Sequence, residues 1–222
     1  MNEQAVPVKM IIVGSINVGK TSLVTKYATG KHPLKTKSTQ NCQYVEKRKK
    51  VNGIQFDIKL WDTAGQEQYK SLTKLFIKDT RIAILVYAID DEKSFNELND
   101  WLKLVKSINE GNIICAVVAN KSDLASNNTI PDEKGKEYAK SIGAEWRLTS
   151  SKEEGINNLV DELFLKYYNS NFNLNASGSL SITLSTEVSK QEKKGCCGGG
   201  NNDTNPNTRQ NSQNESKAKD KD

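Results

Sequence analysis

The sequence predicts an α/β domain: a mostly parallel six-stranded sheet with helices on both faces, followed by a disordered C-terminal tail. Three observations lead there. Met10-Ile11-Ile12-Val13, an apolar run, enters Gly14-Ser15-Ile16-Asn17-Val18-Gly19-Lys20-Thr21, and a helical pattern from Ser22 to Tyr27 leaves it. Strand, loop and helix around G-x-x-x-x-G-K-[ST] is the context of a phosphate loop. Arg81 to Ile89 and Ile113 to Ala119 are almost wholly apolar, as strands covered on both faces should be. Stripes at helical spacing lie between the strand-like runs, and such alternation builds a mostly parallel sheet whose ligands sit at the carboxyl ends of its strands.

The other elements follow in order. Cys42 to Lys50 and Gln55 to Trp61 are strand candidates around Asn52-Gly53, a hairpin-turn signal. Ser94 to Ile108 carries Phe95, Leu98, Leu102 and Val105 at helical spacing, with Ser94 as the expected N-cap. A helix from Asp132 to Ile142 follows Pro131, and Glu145 to Thr149 is a short strand. The last helix, Gly155 to Asn169, puts Ile156, Leu159, Val160, Leu163, Phe164 and Tyr167 on one face. After Phe172 there is no aromatic residue, and Ser, Asn, Gly, Lys and Asp dominate. Such a segment has too little apolar surface to offset the entropy of ordering it. The expected organisation is an N-terminal extension at 1–7, a folded domain at 8–170 and the tail at 171–222.

Composition narrows the function classes. The 222 residues carry a net charge of +5 and a pI of about 8.9, with charges mixed rather than gathered into a nucleic-acid stripe. No nucleic-acid partner is expected, and the chain reads as a monomer. Lys47-Arg48-Lys49-Lys50 is the local exception; a solvated strand edge explains it better than a binding patch. Cys42 and Cys115 fall in predicted strand or core surroundings, and Cys196-Cys197 are adjacent in the tail; this usage fits a reducing cytosol. No run of about 18 apolar residues is present, so no transmembrane helix is expected. The N-terminus lacks a signal-peptide core and has Asn2 where myristoylation needs glycine.

The phosphate loop has a mechanism. Its glycines let successive N–H groups turn toward a phosphate chain, and the helix start adds partial positive charge. Lys20 brings a full charge to the β- and γ-phosphates, and the Thr21 hydroxyl is placed for Mg²⁺. Three more stretches sit at strand ends. In Asp62-Thr63-Ala64-Gly65-Gln66-Glu67, the Asp62 carboxylate can hold Mg²⁺ through water, Gly65 lets a backbone N–H approach a terminal phosphate, and Gln66 could orient an attacking water. In Asn120-Lys121-Ser122-Asp123, the Asp123 carboxylate can accept from N1–H and the 2-amino group of guanine, donors that adenine lacks. Asn120 braces that loop, and the Lys121 stem can lie over the ring. Thr149-Ser150-Ser151-Lys152 offers backbone N–H groups to the base oxygen.

Together, Gly14-x4-Gly19-Lys20-Thr21, Trp61-Asp62-Thr63-Ala64-Gly65-Gln66-Glu67, Asn120-Lys121-x-Asp123 and Ser150-Ser151-Lys152 resemble the ordered motifs of Ras-superfamily small GTPases, over about Val8 to Tyr168. Trp61 before Asp-Thr-Ala-Gly-Gln-Glu, Val86-Tyr87 followed by Ser94-Phe95-x-x-Leu98-x-x-Trp101, and a tail cysteine pair resemble the Rab branch. The resemblance implies a P-loop NTPase fold and a GTP/GDP switch in vesicle trafficking. It places Ser15, Asn17, Val18, Gly19, Lys20, Thr21, Ser22, His32, Thr39, Gly65, Asn120, Lys121, Asp123, Ser150, Ser151 and Lys152 around the nucleotide. Thr21, Thr39 and Asp62 become Mg²⁺ ligands, with Gln66, Lys20 and Thr39 as the catalytic set. Switch I would span Lys31 to Tyr44 and switch II Asp62 to Thr80. Tyr44, Trp61 and Phe76 would form a partner-reading triad, although ordinary core aromatics need no such role. Exchange factors, GTPase-activating proteins, effectors and a GDP-dissociation inhibitor are the implied partners. The implied location is the cytosol and the cytoplasmic face of endomembranes.

The chain also departs from that pattern. Ile16 stands where the family has a small residue, and its branched side chain would crowd Gln66, so slow hydrolysis is expected. Asn17 replaces a usual Gly or Ala but tolerates a left-handed backbone. His32 falls where the family has an aromatic that stacks on the base; a solvated loop histidine is an equal alternative. Gln40-Asn41 stand where Rabs commonly have Ile-Gly. Cys196-Cys197 are followed by a polar run to Asp222, so prenylation there would need trimming; S-acylation beside Lys190, Lys193 and Lys194, or an unmodified tail, are the other readings. The alternative function is a nucleotide-bound effector-binding module with little or no turnover.

Overall fold

The computed structural model describes residues 5–34, 39, 42–63, 70–109, 111–125, 129–172 and 185–187. Its elements are β1 (Val6–Val13), α1 (Lys20–Thr29), β2 (Gln43–Val51), β3 (Ile54–Asp62), α2 (Lys70–Ile77), β4 (Ile82–Ala88), α3 (Glu92–Asn96), α4 (Leu98–Ile108), β5 (Ile114–Asn120), α5 (Asp132–Ser141), β6 (Glu145–Leu148), α6 (Asn157–Phe172) and β7 (Ser185–Glu187). The strands form one sheet in the order β6-β5-β4-β1-β3-β2-β7. The pairs among β6, β5, β4, β1 and β3 are parallel; β2 runs antiparallel to both β3 and β7. Six strands match the sequence expectation. The seventh is three residues of the tail lying against Arg48–Lys50; the rest of 173–222 lies outside the described residues.

Strand parity explains the core. Along β4, Ile82, Ile84, Val86 and Ala88 face one side of the sheet, and Ala83, Leu85 and Tyr87 face the other. All seven are fully buried, which is why this strand reads as an unbroken apolar run. One side is closed by Leu23, Val24 and Tyr27 of α1 together with Leu159, Val160, Leu163, Phe164 and Tyr168 of α6. The other is closed by Ile77 of α2, Leu98, Trp101, Leu102 and Val105 of α4, and Ala139 of α5. Both layers are fixed by burial of apolar area, at roughly 25 cal/mol per Å². The hairpin turn also behaves as its sequence requires: Asn52 and Gly53 have φ of 49° and 83°, the two left-handed residues of a type I′ turn.

Several local expectations are corrected. The helix expected over Ser94 to Ile108 is two helices broken at Glu97. Ser94 is not its cap: Asp91 is, accepting from the Ser94 N–H at 3.2 Å. The Ser94 hydroxyl is buried and joins the Asp91 carbonyl to the Ala88 N–H. On α6 the buried tyrosine is Tyr168, while Tyr167 is only partly covered. The α2 helix falls inside the stretch read from sequence only as switch II.

Lys47-Arg48-Lys49-Lys50 is not simply a solvated edge. Arg48 and Lys50 are exposed, but Lys49 faces the core with its side chain 1% exposed, paired with Asp161 of α6. Lys47 lies 3.6 Å from the centre of the Tyr27 ring. Inward-pointing charge on an outer strand discourages pairing with other chains. Because Lys49 is the desolvated partner and Asp161 is 41% exposed, the two truncations differ. Asp161→Ala strands a buried ammonium and is expected to cost about 2 kcal/mol, whereas Lys49→Met stays within about 1 kcal/mol of wild type. Urea unfolding of both variants measures the asymmetry.

Candidate functional site

The phosphate loop joins β1 to α1 and is shaped by two close approaches. A Cβ on Gly14, at φ 148°, would lie 2.1 Å from the Val86 carbonyl oxygen at the end of β4. A Cβ on Gly19, at φ 92°, would lie 2.4 Å from the Asn120 side-chain nitrogen. Asn17 takes the left-handed conformation at φ 61°, as its residue type allows. Lys20 is buried at 5% exposure, and its ammonium donates to the Gly14 and Ser15 carbonyls at 2.8 and 2.7 Å. Burial lowers this amine to about 8, with the Asp62 charge opposing the shift.

Asn120 ends β5 and joins three loops. Its amide nitrogen donates to the Val18 carbonyl at 2.7 Å, and its side-chain oxygen accepts from the Thr149 hydroxyl at 3.2 Å. Three residues further on, Asp123 accepts from the Ser150 hydroxyl at 2.7 Å and from the Lys152 ammonium. These contacts, Lys152 first and Ser150 next, hold its carboxyl below the usual range. Lys121, left-handed at φ 67°, pairs with Asp90 at 3.3 Å. His32 Nδ1 lies 3.0 Å from the Ser151 hydroxyl.

Between these groups is a cavity of about 270 Å³. Of the residues expected from sequence, Asn17, Gly19, Lys20, Thr21, Ser22, His32, Thr39, Asn120, Lys121, Asp123, Ser151 and Lys152 line it. Three support it from behind: Val18 is in the core, Ser150 holds Asp123, and the Ser15 hydroxyl turns away to Glu97. Gly65, Gln66, Cys196 and Cys197 lie outside the described residues. Thr63 and Leu124 also line the cavity without having been singled out. Thr63 stood within a recognised motif, and its hydroxyl bonds the Ile12 carbonyl at 2.7 Å; Leu124 is an apolar residue 45% exposed beside the base loop. Tyr44, Trp61 and Phe76 form a separate row, with ring centres 4.8 and 5.6 Å apart.

The donor set near Lys20 fits a hard divalent cation. The Thr21 and Thr39 hydroxyl oxygens are 2.5 Å apart. Asp62 is buried, and its Oδ1 has no hydrogen-bond partner. Two hydroxyls and a carboxylate with an open oxygen suit Mg²⁺, which prefers oxygen ligands and keeps several waters.

Burial raises the Asp62 carboxyl from 3.8 to about 6, against the lowering effects of Thr21 and Lys20. Its folded-state value lies above the unfolded one, so the metal-free chain loses stability as pH rises from about 4 to 6. The full loss, roughly 3 kcal/mol, persists at higher pH. Asp62→Asn should therefore stabilise the nucleotide- and metal-free protein at pH 7.5 and bring little gain at pH 4. Thermal melts in chelator at the two pH values measure this.

Comparison with known proteins agrees with this geometry. The Ras family matches residues 9–171. Ras-related protein Rab-21 of Geodia cydonium is 37% identical over 163 residues, covering 73% of this chain and 70% of that protein. Human Rab-21 is 35% identical over 157 residues, covering 71% and 68%. Ras-related protein RABA1b of Arabidopsis thaliana is 29% identical over 200 residues, covering 85% and 93%. Residues from four motifs that line one cavity, in a sheet with a single antiparallel hairpin, thus occur in a chain that belongs to the Ras family and, within it, to the Rab small GTPases.

Proposed function

We propose that the chain is a GTP-hydrolysing switch that regulates vesicle traffic, selecting guanine through Asp123 and turning over slowly. The observation that carries this reading is the single cavity with Lys20 and Thr21 among its lining residues together with Asp123 and Lys152. Both Asp123 oxygens already accept hydrogen bonds, from Ser150 and Lys152. Guanine would offer its N1–H and 2-amino donors to the same carboxylate, whereas adenine would offer neither and would set the lone pair of its N1 against that charge. His32 and the Lys121 stem flank the base, with His32 oriented by Ser151. Lys20 leaves its resting carbonyls for the β- and γ-phosphates, joined by the loop N–H groups. Thr21, Thr39 and Asp62 would hold Mg²⁺, which would supply positive charge to the phosphate oxygens. Gln66 orients the attacking water, and Thr39 senses the γ-phosphate, so that its loss on hydrolysis releases switch I.

The remaining assignments belong to the same reading. The row of Tyr44, Trp61 and Phe76 offers effectors an aromatic anchor. Exchange factors and activating proteins set the fraction of time spent in each state, and a GDP-dissociation inhibitor would take the GDP form. Lipidation at Cys196 and Cys197 would bring the chain to the cytoplasmic face of endomembranes. Among the described residues no helix is long and apolar enough to cross a membrane.

Two measurements test the core of this. Ile16 is 44% exposed and lines the cavity, where its branched chain would take up space that an attacking water needs. Ile16→Ser should raise single-turnover phosphate release from GTP by roughly tenfold, about 1.4 kcal/mol of barrier; an unchanged rate removes the steric explanation. Asp123→Asn should weaken GTP binding by at least about 100-fold, because the replacement amide cannot accept both guanine donors. Equal GTP affinity in titrations of wild type and variant would overturn the guanine assignment.

A further inference from the structure

We infer that Glu97 is a positioning residue for the bound nucleotide, acting through the hydroxyl of Ser15, and that this pair sets how long the nucleotide is retained. The inference rests on the nucleotide-binding reading above, but it concerns a residue outside the cavity. Ser15 is 7% exposed and donates its hydroxyl hydrogen to Glu97 Oε2. The same residue's carbonyl, with that of Gly14, holds the Lys20 ammonium. One loop residue therefore connects the phosphate-binding lysine to a carboxylate 82 positions away in sequence.

The carboxylate has a rigid mount. Glu97 is the break between α3 and α4: its N–H donates to the Lys93 carbonyl at 3.1 Å, and its own carbonyl accepts from the Asp100 and Trp101 N–H groups at 3.1 and 3.2 Å. Leu98 and Trp101, which follow it, are buried in the core. Support of this kind fixes a polar group more closely than a loop could. The other Glu97 oxygen lies 3.7 Å from Lys93, whose side chain is 79% exposed, a pairing of little energetic weight. The Ser15 hydroxyl is thus the main close partner of the carboxylate, in a charge-assisted hydrogen bond.

The loop is then tied at two points. Asn120 holds its C-terminal half through the Val18 carbonyl, and Glu97 holds its N-terminal half through Ser15. Between them lies left-handed Asn17, a position at which the loop can swing if either tie is cut. A freed Ser15 peptide would move both the loop N–H groups and the resting acceptors of Lys20, and bound phosphates would be held less firmly.

The test is release of fluorescent mant-GDP from the full chain. Ser15→Ala and Glu97→Ala should each speed release about tenfold, the effect of one hydrogen bond to a charged group. The double variant should be no faster than either single one. Glu97→Gln, which keeps an acceptor oxygen, should recover most of the retention. Thermal melts of the nucleotide-free proteins run alongside, and release should change far more than melting. Wild-type release from both Ala variants, additive effects in the double variant, or Glu97→Gln as fast as Glu97→Ala would each overturn the inference. Failure of the wild-type chain to bind mant-GDP would instead overturn the nucleotide-binding reading itself.

Discussion

A single buried amide organises the site. Asn120 is 1% exposed, and its two side-chain atoms contact two other loops: the nitrogen bonds the phosphate loop at Val18, and the oxygen bonds Thr149. Its own backbone continues into the base loop. An amide can do this because donor and acceptor sit on one planar group. In a low-dielectric interior such bonds are strong when satisfied and costly when broken. Gly19 completes the arrangement, since any side chain there would collide with the amide nitrogen. The separation between phosphate-binding and base-binding groups is therefore set by one residue, not by the sum of three flexible loops.

The sheet places that amide. β4 and β5 are buried on both faces, so their carboxyl ends have little freedom, and the loops that leave them begin from fixed positions. The same rigidity reaches the phosphate loop through Gly14, pressed against the Val86 carbonyl. Within this frame the charged groups sit under strain of solvation. Lys20 and Asp62 are each pushed by burial toward their neutral forms, a cost that a phosphate chain and a metal ion would relieve. Binding is then coupled to relief of a penalty already present in the empty protein.

Much of the fold was legible because burial on both faces leaves an unmistakable apolar run, and the four site loops each carry short motifs at strand ends. What escaped did so for definable reasons. Tyr167 and Tyr168 are adjacent tyrosines at the seventh and eighth positions after the Val160 turn, and a helical stripe accepts either; only the packing on Phe56, with ring centres 5.8 Å apart, selects Tyr168. Lys49 follows strand parity rather than residue type: it shares a face with Val45 and Val51, so it is buried despite its charge. Ser94 looked like a cap, but the cap falls three residues earlier, where Asp91 accepts from the Ser94 N–H, and the serine hydroxyl is drawn inward to Ala88. Glu97 carried no signal at all, since nothing local relates a carboxylate on a helix surface to a loop so far away in sequence.

The short β7 strand changes what the rim of the sheet can offer. It occupies the main chain of β2 at Arg48 to Lys50, and the inward lysines make that end a poor template for any incoming strand. Among the described residues the unpaired backbone of β2 is then confined to Gln43 to Lys47, which includes Tyr44, whose ring touches Trp61. A protein extending the sheet would have to lay its backbone beside the aromatic row, so ladder formation and ring stacking would share one footprint rather than two.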